Sequence, residues 1–155
     1  MGTFDPNVFL DATFTDANST VSVPCPPGEY LAVVADEPKM RQAQGQKDAS
    51  KTYLMLDLLW TIEDPAVTEV TSRKPTKVRQ SIMLDLTETG ALDMSKGHNV
   101  QLGRLREAVG LNSPGQAFSF RQLQGQQAKI QVVNRPDPQD PERIYDDVKA
   151  VVRAA

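Results

Sequence analysis

TYLMLDLLWTI, residues 52–62, reads as a β-strand: a run of aliphatic and aromatic residues with one acid, Asp57, at its centre. VRQSIMLDL, residues 78–86, is a second run of the same kind, and EYLAVVADE, residues 29–37, is a third, launched by Pro27-Gly28. The connectors between them are polar. Residues 38–51 carry Lys39, Arg41, Lys47 and Lys51 and read as a loop; a Thr- and base-rich connector opens at Asp64-Pro65 and runs to about Lys77.

Further along, the period changes. Leu102, Leu105 and Val109 recur at helical spacing after Ser95–His98, and Gly110 supplies a left-handed stop, so one helix is expected there. Residues 118–124 suggest a further single turn capped by Ser119 and ended by Gly125. Two more strands follow, Gln127–Val133 and Ile144–Val152, around a loop stiffened by Pro136, Pro138 and Pro141. Three strands, a helix and two strands predict a mainly β fold with one or two short helices. A small barrel, OB-like for instance, or a jelly-roll-like sandwich fits this order, with residues 28–155 as a single β-rich domain.

Residues 1–27 read as an extended N-terminal arm. Asp5-Pro6 starts a helix of little more than a turn. No sustained period follows as far as Pro24, Pro26 and Pro27, and such a segment cannot bury enough of itself to fold alone. Phe4, Val8, Phe9, Leu10 and Phe14 are spaced as anchors for another surface and are the candidate partner-binding residues. Charge follows the same division. Residues 1–37 hold six acids and no base, whereas the rest of the chain holds 14 acids and 17 bases within a net charge of −3.

Several chemistries find no support in the composition. The chain has one cysteine, Cys25, and one histidine, His98, so neither a disulfide nor a Cys/His metal centre is expected. Asp85, Glu88 and Asp93 lack the alternating spacing of a calcium loop and read as solvated turn residues. Cys25 has no base near it in sequence and reads as an inert apolar residue. No phosphate loop, dinucleotide fingerprint or nucleophile elbow is present, so no enzyme activity, catalytic residue or cofactor is expected. No apolar run reaches the roughly 18 residues of a membrane span, and the N-terminus lacks a signal-peptide pattern, so a cytoplasmic product without a membrane partner is expected.

Single-stranded nucleic acid is the other partner class the residues raise. The connectors at 38–51 and 71–79 hold eight bases, and loops of this kind flank the strand-tracking groove of an OB-like fold. Tyr30, Tyr53, Trp60 and Tyr145 are the available stacking residues, a thin supply among nine aromatics.

Two resemblances add to this reading. SIMLDLTETGALDMSKGHNVQLGRLREAVGLNSPGQAFSFRQLQGQQAKIQVV (81–133), IYDDVKAVVRA (144–154) and the opening FDPNVFLDATF (4–14) resemble small proteins encoded near the major capsid gene of short-tailed phages. That resemblance implies a capsid cement or decoration protein, a structural virion component made in the host cytoplasm. Its partners would be the major capsid protein and further copies of itself, as a homodimer or homotrimer. The PPGEY phrase (26–30) and the strand–helix–turn–strand order are similar to phage single-stranded-DNA-binding proteins of the OB class, which implies nucleic acid as the partner instead.

Overall fold

A computed structural model describes residues 5–44 and 52–154. Its elements in chain order are α1 (Pro6–Leu10), β1 (Gly28–Val34), β2 (Lys39–Gln44), β3 (Thr52–Ile62), α2 (Pro65–Thr71), β4 (Thr76–Leu84), α3 (Val100–Ala108), β5 (Gln127–Pro136) and β6 (Ile144–Val152). A single 3-10 turn, Phe120–Leu123, precedes β5 and is capped by Ser119. The fold is mainly β: all six strands belong to one antiparallel sheet.

Alternation in β3 and β4 creates the core. Leu56, Leu58, Trp60 and Ile62 point to one side and are buried, as are Val78, Gln80, Ile82 and Leu84 on β4. Each large apolar side chain withdrawn in this way contributes about 1.5–3 kcal/mol. Ala128, Ile130 and Val132 of β5, with Ala32 and Val34 of β1, extend the same buried layer.

β3 is the hub of the sheet. One edge carries β4, from Leu54 opposite Leu84 to Ile62 opposite Thr76. The other edge is shared: β2 pairs with its first half, and β1 pairs with Trp60 and Thr61 near its end. β1 also pairs with β5 over Gly28–Val33, and β5 with β6. β1 and β2 therefore act as one bent strand, interrupted at 35–38, that passes from β5 to β3. The sheet curls until β6 lies against β4, with α3 packed over both. No hydrogen-bonded ladder joins β4 to β6, so the sheet is not closed into a barrel.

Two connectors depart from the sequence expectation. Residues 39–44 form an edge strand rather than a loop: KMRQAQ is almost wholly exposed, so no apolar alternation marks it. The second connector contains α2, where the Asp64 carboxylate accepts the Ala66 N–H at 2.9 Å and Pro65 occupies the first turn. β5 also reaches Pro136, which sits at the ladder's end opposite Ile144, where its missing N–H costs nothing inside the sheet. The helix itself is α3, with Leu102, Leu105 and Ala108 buried and Gly110 at φ +75° beyond its end.

Candidate functional site

The second face of β2, β3 and β4 looks away from the core. Cross-strand partners share a face, so Lys39 and Arg41 of β2 lie beside Asp57 and Met55 of β3. On the other flank Arg79, Ser81 and Met83 of β4 lie beside Leu59, Asp57 and Met55. Tyr53, Met55 and Leu59 form the middle row, Leu59 and Met83 being exposed. This is a surface of bases interleaved with apolar side chains.

Asp57 organises it. Arg41 donates from Nε to Oδ2 at 2.8 Å and from Nη2 to Oδ1 at 3.2 Å, while Ser81 Oγ donates to Oδ1 at 2.6 Å. Arg79 Nη2 stands 3.9 Å from the same carboxylate. The Arg41 hydrogen bonds, helped by Ser81 and opposed by partial burial, hold the Asp57 carboxyl below its ordinary value, and Arg41 is pushed up in return. At the margin Lys77 Nζ pairs with Asp36 at 2.8 Å. Lys39, Arg41, Lys77 and Arg79 thus face two carboxylates, which leaves the face cationic. The connector bases Lys47 and Lys51 lie outside the described residues.

The four proposed stacking aromatics separate. Trp60 is fully buried, its indole N–H donating to Gln80 Oε1 at 2.8 Å, and it cannot meet a base. Tyr30 points inward and donates its hydroxyl to the Pro26 carbonyl at 2.8 Å. Tyr53 lies on the outer face, and Tyr145 is exposed at the start of β6. Sequence reasoning overlooked Met55, Leu59 and Met83; their odd-numbered alternation against buried Leu56, Leu58 and Ile82 is the signal that marks them.

Of the arm residues, Val8, Phe9, Leu10 and Phe14 are 67%, 57%, 82% and 75% exposed, and α1 buries nothing against the body. Phe4 lies outside the described residues. A polar clip fastens the arm where it meets the body. The Asp146 carboxylate accepts the Cys25 N–H at 2.8 Å and stands 3.6 Å from Arg73, whose Nη2 donates to the Val23 carbonyl at 3.0 Å. The Cys25 thiol itself packs in the core, where burial and the nearby Asp146 push its pKa up to about 11.

His98 Nδ1 sits 3.7 Å from Asp85 and 3.6 Å from Asp93 at the entrance to α3. Asn99 ties the same loop by donating to the carbonyls of Asp85 and Asp93 at 3.0 and 2.9 Å. The Ser95 hydroxyl and N–H hold the Asp93 carboxyl below its ordinary value. No cluster of three or more His, Cys, Asp or Glu able to hold a metal occurs among the described residues. No helix among them is long and apolar enough to cross a membrane.

No model of a known protein family matches this sequence, and no curated protein matches it at a significant level.

Proposed function

We propose that this protein binds single-stranded nucleic acid across the outer face of β2, β3 and β4. The observation that carries the reading is the strand order. With β1 and β2 taken as one bent strand, the first strand pairs with the second and fourth, the second with the third, and the fourth with the fifth. A helix stands between the third and fourth. That is the connectivity of the partly open oligonucleotide-binding fold, which uses the face of its second and third strands, here β3 and β4, to bind. The same face carries Lys39, Arg41, Lys77 and Arg79 around Tyr53, Met55, Leu59 and Met83. Lysine and arginine neutralise phosphates, Tyr53 supplies a sequence-tolerant stacking platform, and Met55, Leu59 and Met83 add apolar contact around it. Fluorescence anisotropy with a labelled oligothymidylate, titrated at several salt concentrations, tests it. Tight binding at low salt should fall steeply with added salt, and Lys77→Glu/Arg79→Glu should weaken it more than tenfold and flatten the salt slope. No binding at low salt, or a double variant that binds like wild type, refutes the reading.

A second reading, capsid decoration, draws on a different observation: the exposed apolar anchors Val8, Leu10 and Phe14 on the arm. In it the arm grips the major capsid protein and the domain rides on the shell. Co-sedimentation with expanded capsids, with and without residues 1–23, tests this; unchanged occupancy after truncation refutes it.

A further inference from the structure

We propose that the groove between α3 and β6 receives the N-terminal arm of a second copy of this chain, so that the protein associates by arm exchange. The groove, of about 720 Å³, opens where β6 meets β4 without a ladder. Its bed is apolar, formed by Leu105, Ala108 and Val151, and Val100 and Val152 stand about half exposed at its rim. Arg104, Lys149 and Arg153 surround it with a single acid, Glu107, which already pairs with Arg153 at 3.4 Å. The rim is therefore cationic and the bed apolar.

The arm has the complementary character. Val8, Leu10 and Phe14 project into solvent, Asp5, Asp11 and Asp16 flank them, and no base occurs before Lys39. The arm is fastened to its own body at Asp146, near the start of β6, whereas the groove lies at the far end of that strand, beside Lys149–Arg153. It leaves its own groove open and its anchors exposed. A second copy satisfies both surfaces at once: Leu10 at the end of α1 and Phe14 beyond it seat on Leu105 and Val151, while the flanking Asp11 and Asp16 meet Arg104 and Lys149. Two arms exchanged in this way make a symmetric pair with two equivalent contacts.

This inference is independent of nucleic-acid binding, and sedimentation velocity on the full chain without oligonucleotide tests it. Wild type should sediment as a dimer at tens of micromolar, and Leu10→Asp and Val152→Asp should each be monomeric. Both substituted positions are at least half exposed or nearly so, and unchanged circular dichroism and thermal midpoint verify folding. An equimolar mixture of the two variants should recover dimer, because one sound arm then meets one sound groove. A monomeric wild type overturns the proposal, including one that binds oligothymidylate or capsids. A dimer that survives both substitutions, or a mixture that stays monomeric, overturns it as well.

Discussion

The indole N–H of Trp60 donates to the side-chain oxygen of Gln80 at 2.8 Å, and both residues are buried. The bond links β3 to β4 among the buried apolar side chains Leu58, Val78 and Ile82, and Gln80 also underlies the α3–β6 groove. A buried pair of this kind contributes modestly while intact, but losing one partner leaves the other desolvated and unsatisfied. Gln80→Leu should therefore destabilise the fold by about 1–3 kcal/mol. Urea denaturation followed by the fluorescence of the one tryptophan measures this, and oligothymidylate affinity of the folded variant should stay at the wild-type level.

Removing the central charge of the outer face should separate stability from binding. Asp57→Asn loses the Arg41 and Arg79 ion pairs, a cost of about 1 kcal/mol for partly exposed partners. It also frees both guanidinium groups for phosphate. The variant should unfold at lower urea yet bind single strands more tightly, with a steeper salt dependence; a weaker binder would contradict the assignment of this face.

Acid stability should carry the signature of the same carboxylate. The folded Asp57 carboxyl titrates below its ordinary 3.8, so the unfolded chain takes up the proton first. The stabilisation is complete above that ordinary value and is lost as pH falls through the lower folded one. Asp93, held down by Ser95, acts in the same direction. Urea midpoints measured from pH 6 down to pH 2 should decline along this limb, and Asp57→Asn should flatten it.

Cys25 should resist thiol reagents in the folded protein. Its sulfur is inaccessible and its pKa is near 11, so thiolate is scarce at neutral pH. Labelling with a chromogenic disulfide at pH 8 should be slow in buffer and prompt in urea. Asp146→Ala, which removes the acceptor for the Cys25 N–H, should accelerate it in buffer.

The elements readable from sequence are mostly those with a one-sided burial pattern. β4, β5 and the second half of β3 alternate, and α3 shows its Leu102–Leu105 stripe; β6 buries only Val148 and is legible instead as a β-branched run after a proline-rich loop. β2 escaped because an edge strand exposed on both faces has no apolar rhythm to betray it. α2 was legible in principle: Asp64-Pro65 repeats the cap-and-proline start of Asp5-Pro6, but β-branched Val and Thr dilute its helical character. Trp60 reads by its chemistry as a stacking candidate, although its parity with Leu56 and Leu58 places it inside. The outer face was only half visible, since bases that are adjacent across β2, β3 and β4 are far apart along the chain.

Because no ladder joins β4 to β6, side chains, those of α3 among them, cover the core behind that seam in place of backbone hydrogen bonds. Leu102 and Leu105 can lift away without breaking a single inter-strand hydrogen bond, whereas β3 cannot leave without dismantling pairs on both of its edges. Opening of the molecule is therefore graded. In native-state deuterium exchange the amides of α3 should be released through a low-energy partial unfolding, and those of Leu56–Trp60 only through global unfolding. A ligand that seats against α3 would then raise the protection of that helix first, leaving the slowest-exchanging strand amides unchanged.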